Sequence, residues 1–310
     1  MTRNEKILAH INKNGHGIEI GPSHAPIAPK KDGYRVDIID HMSREGLLTK
    51  YQDHNVNLDN IEEVDYVWNG KTYAELTGKP KHYDWIIASH VIEHTPDLID
   101  FLINCDAVLK DEGVLALVIP DKRYCFDHFR PITGISSIID KHLSTNKIHS
   151  AGTVAEYFLN VATKEGELGW HAHTDGMFKL VHALDEARTN MQTVCEQQAY
   201  IDVHAWCFVP HSFRLLINDL YDLGLISFKE VNFQPTDGYE FYITLSRQGA
   251  GIDKSRLEML HRIEAEVKDE NKMLTSQLLT YEQFLIQHTA QQRPSISKRI
   301  VRRLRRVLSK

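Results

Sequence analysis

Cysteine is scarce in this chain, and so are uninterrupted apolar stretches. The four cysteines, Cys105, Cys125, Cys195 and Cys207, show no CxxC spacing. With no signal peptide ahead of them, four unpaired thiols point to the reducing cytosol. No apolar run approaches the ~20 residues that a bilayer-spanning helix needs, so any membrane contact is expected to be peripheral. A basic body is lacking too. The formal charge is −6, and because Lys298 to Lys310 hold seven basic and no acidic side chains, residues 1–297 carry −13. Such a body offers no general attraction for nucleic acid, while the tail is strongly cationic. At 310 residues and 42% apolar, the chain can bury a full core and still carry an appendage.

What is present is organised around residues 83–130. Asp84 stands beside Trp85-Ile86-Ile87-Ala88, a run without helical spacing that predicts a strand buried on both faces. A polar cluster, Ser89-His90 with Glu93-His94, follows where the strand hands over to a helix, and Ile99, Leu102, Ile103, Val108 and Leu109 recur at helical spacing. Lys110-Asp111-Glu112-Gly113 is expected to end that helix, ahead of a second buried strand, Val114 to Ile119, closed by Pro120-Asp121. These pieces make a βαβ unit. Ligands of open α/β sheets bind beyond the carboxyl ends of the strands, so Ser89 to His94 and Asp121 to His128 should face one crevice.

Upstream, after a lead helix within residues 1–14, Gly17-Ile18-Glu19-Ile20-Gly21-Pro22-Ser23 reads as a strand running into a tight loop. Tyr34 to Asp40 reads as a second strand ending in an acid, nineteen residues beyond Gly21. In a doubly wound fold that spacing places a loop close to a nucleotide and a carboxylate able to accept both ribose hydroxyls. A GxGxxG turn, however, is missing. Gly21-Pro22-Ser23-His24-Ala25-Pro26 has one glycine and two prolines, and proline removes the N–H donors that a pyrophosphate needs. S-adenosylmethionine carries ribose and adenine without phosphate, and its zwitterionic end asks for one close-approach glycine and an acid such as Glu19 facing the ammonium. A strand, a turn glycine and an edge acid also occur in unrelated α/β proteins, so this pattern alone leaves a plain α/β domain open.

The order EIGPS, IIDH, YDWIIASHVIEHTPD and LKDEGVLALVIPDKRYCFDHFRP resembles the class I S-adenosylmethionine-dependent methyltransferases over residues 5–247, most closely the branch associated with bacterial cell-surface polysaccharide (O-antigen or capsule) assembly. The resemblance implies an α/β fold, a Rossmann-like seven-stranded methyltransferase sheet with helices on both faces. It also implies Glu19, Gly21 and Pro22 beside the methionine moiety, Asp40 with His41 at the ribose, Asp65 within a short third strand read at Glu63 to Val67 and near the adenine, and Ser89 and His90 lining the cofactor. The glycine-rich ExGxGxG loop of the wider superfamily is reduced here to EIGPSHAP.

His90-Val91-Ile92-Glu93-His94 also matches HxxEH, the inverted zinc-peptidase signature; on a helix, its two histidines would share a face. The small-RNA 2'-O-methyltransferases use a similar ExxEH cluster, so His90, Glu93 and His94 with a remote histidine are candidate ligands of a divalent metal. The plainer reading is a helix start packed by His94, with Glu93 complementing the helix dipole. For O-methylation a base must take the hydroxyl proton, and imidazole suits this near neutral pH. Candidates are His94 or His90 first, then Asp121, then His128 and His204.

Residues 131–200 read as a substrate-side insertion with helices at 135–143, 154–163 and 177–198, where Trp170 either stacks on a sugar or packs internally. Ile201 to Phe208 alternates like a strand or an extended segment, Phe213 to Leu223 is an amphipathic helix, and Ile226 to Phe233 with Tyr239 to Ser246 should close the sheet as an antiparallel pair. The methyltransferase domain is thus placed at 1–248. Residues 249–292 follow as a coiled-coil helix with Leu257 at an a position, predicting a homodimer or hetero-oligomer. Residues 293–310 read as a basic amphipathic tail for an anionic membrane surface, with nucleic acid the competing use. Together these features predict a cytoplasmic O-methyltransferase attached to the inner face of the cytoplasmic membrane and acting on a glycan or glycolipid. A catalytically inactive scaffold of the same fold and a zinc peptidase are the rival readings.

Overall fold

A computed structural model describes residues 1–144 and 147–268. Helix α1 (Arg3–Leu8), opened by a capping box between Thr2 and Glu5, leads into strand β1 (His16–Ile20). Strand β2 (Arg35–Asp40), helix α2 (Arg44–Tyr51), the short β3 (Tyr66–Val67) and helix α3 (Tyr73–Thr77) follow. The expected βαβ unit is β4 (Tyr83–Ser89), α4 (Leu98–Val108) and β5 (Leu109–Pro120). Then come α5 (Ile135–Leu143), α6 (Ala151–Asn160), the small antiparallel pair β6 (Ala162–Lys164) and β7 (Phe178–Leu180), and α7 (Leu184–Gln197). Helix α8 (Pro210–Asp222) and the pair β8 (Lys229–Asp237) and β9 (Glu240–Ser246) complete the domain.

Seven strands form one sheet in the order β3-β2-β1-β4-β5-β9-β8. Strands β1 to β5 run parallel, and β9 lies antiparallel between β5 and β8. The chain winds outward from β1 to β3 and then crosses back to β4, so the strand order reverses between β1 and β4. Their carboxyl ends therefore flank the crevice where such sheets take ligands. This is the Rossmann-like methyltransferase fold that the sequence predicts.

The apolar run of β4 is continuous because both its faces are covered. Trp85 and Ile87 pack with Ile7, Ile27 and Tyr242, whereas Ile86 and Ala88 pack on the other side with Leu98, Leu102 and Leu216. Helix α4 buries Leu98, Ile99, Phe101, Leu102, Cys105 and Val108. At roughly 1.5–3 kcal/mol for each large apolar side chain, that burial outweighs intrinsic helix propensity in fixing its position.

Three local expectations are corrected. Residues 90–94 are not α-helical: Ile92–His94 make one 3-10 turn, and α4 starts only at Leu98, with Asp97 as its cap. The cause is Pro96, which pushes Thr95 to an extended conformation (ψ 131°) and so breaks any helix running through it. Residues Lys110 to Gly113 belong to β5, and α4 ends at Val108. β3 is only two residues long, leaving Asp65 ahead of it. Residues 201–207 take the extended form that their alternation allows, without joining a strand, and Phe208 makes an isolated bridge to Asp121.

Helix begins again at residue 256 and continues to 268, the last described position. Met259 is buried, Arg256 pairs with Asp219, and Glu266 accepts from the backbone N–H of His211, so this stretch docks on α8. Leu257 and Leu260, at the expected seam, are exposed. The rest of the expected coiled coil and the whole basic tail lie outside the described residues. Among the described residues, no helix is long and apolar enough to cross a membrane.

The close approach of β1 to β4 depends on Gly17, where a Cβ would lie 2.1 Å from the Trp85 ring. Gly17→Ala is expected to destabilise the domain by roughly 1–3 kcal/mol through overpacking. A urea titration monitored by tryptophan fluorescence reads this as a lowered midpoint, and an unchanged midpoint contradicts the packing.

Candidate active site at the strand ends

The loop leaving β1 turns at Gly21, whose φ of 63° is left-handed and whose N–H donates to the Ile39 carbonyl at 2.8 Å. A Cβ there would meet Val91 Cγ2 at 3.2 Å, so glycine lets this loop come against the segment after β4. Glu19 is buried beneath it. Its two carboxylate oxygens accept from the backbone N–H groups of Ile27 (2.7 Å) and Ala28 (3.0 Å), while burial raises its pKa to about 7 against those two bonds. Glu19 therefore ties the loop down from below.

Asp40 ends β2 at the crevice, but its side chain is fully covered. One oxygen accepts from Ser23 N–H (3.0 Å); the other accepts from the backbone N–H (2.7 Å) and Nδ1 (2.6 Å) of His41. Lys50 Nζ stands 3.1 Å from His41 Nε2, which fits an Nδ1–H tautomer. Pro22 caps the same loop, its carbonyl accepting from Ala25 N–H. Asp65 is not at the strand end. Its carboxylate accepts from Ile38 N–H (2.7 Å) and Lys30 (2.6 Å), bracing β2 two residues short of Asp40, because β3 begins only after it.

On the β4 side, Ser89 Oγ accepts from Arg3 Nη2 at 2.8 Å, which draws α1 across the strand ends. Arg3 also grips Glu240, the first residue of β9, which pairs with Pro120 at the end of β5. Glu240 further accepts from Tyr242 Oη and bonds His90 Nε2 at 2.7 Å; despite burial, these partners hold its pKa at about 2. His90 sits at φ 53° with Nδ1 3.5 Å from Glu93. Burial works against its charge, yet Glu240 and Glu93 raise its pKa to about 9. Both carboxylates favour the protonated imidazole, and the ring ties β4 to β9.

Glu93 is wholly buried, and neither carboxylate oxygen has a hydrogen-bond partner. Burial alone would raise its pKa; His90, His204 and His94 around it hold it below the ordinary carboxylate value. His94 and His204 meet edge to face at 4.5 Å between ring centroids. Each has its Nδ1 on a carboxylate: His94 on Asp202 at 2.9 Å, His204 on Asp127 at 2.5 Å. Asp127 also receives Arg130, and His204 with Arg130 holds its pKa at about 2 in spite of burial. His204 reaches the cluster because the 201–208 segment is pinned from both sides: Ala205 N–H donates to the Glu93 carbonyl, and Trp206 Nε1 to the Thr95 carbonyl. The cluster with metal-ligand proximity is therefore Glu93, His94 and His204, their ligand atoms within 4.8 Å of one another. His90 leaves the set that the sequence suggested, because without a helix its ring turns to Glu240.

Asp121 and His128 lie elsewhere. Asp121 is buried and taken up by Arg123 (Nη2 at 2.6 Å) and Thr236 (2.6 Å), so these charges pair with each other. His128 stacks on Phe178 and accepts no solvent; burial lowers its pKa to about 4, and its Nδ1 faces the Arg123 carbonyl. Trp170 is buried against His128 and Phe178, packed inside the insertion. A cleft of 390 Å³ opens on the far side of the β8–β9 hairpin, lined by Arg123, Tyr124, His171, His173, Phe233 and Asp237 among others. Sequence reasoning missed Arg3, Asp127, Asp202 and Glu240 as site residues. A signal existed for one: Asp202-Val203-His204 alternates, which puts Asp202 and His204 on one side of an extended segment.

A family model described as a methyltransferase domain matches residues 4–191. No curated protein matches the sequence. Among solved structures, the trans-methyltransferase CalH, complexed with SAH, is similar at 16% identity over 78% of this chain and 53% of that one (TM-score 0.38), so this chain spans about half of CalH. A SAM-dependent methyltransferase from Thermotoga maritima is similar at 12% identity over 79% and 88% (TM-score 0.38). The CcbJ methyltransferase from Streptomyces caelestis is similar at 12% over 77% and 86% (TM-score 0.40).

The raised pKa of His90 links stability to pH. Its protonated form is favoured in the folded chain, so the stabilisation is complete below pH 6.5 and disappears as pH rises towards 9. His90→Asn, which tolerates the left-handed backbone, should flatten the fall in urea midpoint between pH 6.5 and 9. An equal fall in both proteins contradicts the ion pairing.

Proposed function

The chain belongs to the methyltransferase domain family, and from that premise we propose that it methylates a sugar hydroxyl of a cell-surface glycan or glycolipid at the inner face of the cytoplasmic membrane. Its cofactor is S-adenosylmethionine, which supplies an electrophilic sulfonium methyl when bound. The residues at the strand ends fit that group: a single glycine turn that a Cβ would crowd, a terminal carboxylate at Asp40 and no array of phosphate-binding N–H groups. Gly21, Asp40 and Ser89 would hold it. The observation that carries the O-methyl reading is the buried Glu93–His94–His204 cluster directly after β4, on the same crevice.

There the chain's own groups do the rest. Asp202 and Asp127 hold the two imidazoles by their Nδ1 atoms, which leaves the Nε2 atoms to orient an acceptor hydroxyl and receive its proton. Phe126 lies 4.5 Å from the His204 ring and shields it from water. The zinc-peptidase reading has no support in this geometry, since it needs residues 90–94 on one helix face. The polysaccharide assignment is supported by the sequence motifs and by the sequence pattern of the tail, in which Ile300, Val301, Leu304, Val307 and Leu308 recur at helical spacing among arginines.

Calorimetric titration with S-adenosylmethionine should show one site, weakened at least tenfold (about 1.4 kcal/mol) by Asp40→Asn, with circular dichroism confirming the fold. No binding to the unaltered chain would leave the inactive scaffold as the surviving reading. For the tail, the full chain should float with vesicles containing phosphatidylserine, and a chain ending at residue 293 should not; equal flotation discards the anchor.

A further inference from the structure

We infer that Glu93, His94 and His204 bind a divalent first-row transition-metal ion, with Asp202 and Asp127 as the carboxylates that orient the two imidazole ligands. Three independent observations converge on this. First, a carboxylate that is fully buried with both oxygens unpartnered is costly, and buried charges in proteins are paired or coordinate metals. His90 offsets part of that charge through Nδ1 at 3.5 Å, while its Nε2 is held by Glu240 at 2.7 Å.

Second, the histidines are arranged as ligands. A metal-binding histidine almost always gives its other ring N–H to a carboxylate or carbonyl, which fixes the tautomer and aims the free nitrogen at the ion. Both rings have that partner, at 2.9 Å for His94 and 2.5 Å for His204. Third, the spacing suits a cation better than direct bonds. His204 Nε2 stands 4.0 Å from Glu93 Oε1, too far for a hydrogen bond. The donor atoms, all within 4.8 Å of one another, need close by less than an ångström to reach the ~2.1 Å bonds of such a site.

Two imidazoles and one carboxylate on one side leave positions open on the other. They suit an acceptor hydroxyl, whose proton a Lewis acid would loosen; this role rests on the methyl-transfer reading, whereas ion binding does not. The ligand set of nitrogen and oxygen favours manganese, iron, cobalt or zinc over magnesium or calcium.

The test uses the full chain, stripped with a chelator and titrated by calorimetry with Mn²⁺, Co²⁺ and Zn²⁺, with Co²⁺ also followed by visible absorption. One ion per chain is expected, with a cobalt spectrum of mixed nitrogen and oxygen ligation. Glu93→Gln and His94→Gln should each weaken binding roughly 100-fold, and Asp202→Asn roughly 10-fold. His94 is partly exposed, so its variant should stay folded, and thermal melting checks this for every variant. Absence of stoichiometric binding, or binding unchanged in both Glu93→Gln and His94→Gln, overturns the site. Parallel titration with S-adenosylmethionine keeps the two readings apart: retained cofactor binding without metal binding refutes only the metal site, and the converse refutes only the methyltransferase reading.

Discussion

Glu93 carries its negative charge in a place where water does not reach it, and much of the surrounding architecture is arranged around that fact. Three histidines surround the carboxylate, with His90 Nδ1 at 3.5 Å and His204 Nε2 at 4.0 Å from one of its oxygens. Each histidine is in turn held by a further acid: His90 by Glu240, His94 by Asp202, His204 by Asp127. The inner carboxylate thus sits in a shell of imidazole and an outer shell of carboxylate, with Arg3 and Arg130 beyond. Such nested charges are stable only when geometry is fixed, since removal of one partner leaves a buried charge uncompensated.

The sheet supplies that rigidity. β4 ends at Ser89 between β1 and β5, so the chain enters the crevice at a position set by parallel pairing on both sides. Pro96 then delays the helix to Leu98, and residues 90–94 form only a 3-10 turn at Ile92–His94, so that their side chains spread in different directions. His90 goes to the β9 side and His94 to the insertion side. On the other wall, Glu19 secures the loop from beneath and Asp40 binds Ser23 and His41.

Strong periodic signals made most of the fold legible in the sequence. The apolar run of β4, the helical spacing of α4 and α8 and the closing antiparallel pair all register in the structure, because burial on fixed faces leaves a pattern in the chain. Weaker features failed for identifiable reasons. HxxEH resembles a helical ligand pair only if Pro96, two residues beyond it, is ignored. Asp65 was placed by motif order, yet a two-residue strand puts it below the edge. Trp170 and His128 are chemically versatile residue types, and nothing local distinguishes a packed ring from one facing a ligand. Glu240, Arg3, Asp127 and Asp202 join the site through contacts 77 to 237 residues apart in the chain, and no local pattern encodes such distances.

The central claim is that the crevice between β1 and β4 aims the sulfur of the bound nucleoside at the Glu93 cluster. Diffraction from crystals grown with S-adenosylhomocysteine tests it most directly. The account predicts the ribose beside Asp40 and the thioether sulfur turned towards Glu93, His94 and His204, with room for an oxygen between them. A thioether pointing away from those side chains, or a nucleoside seated in the cleft beyond the β8–β9 hairpin, would contradict it.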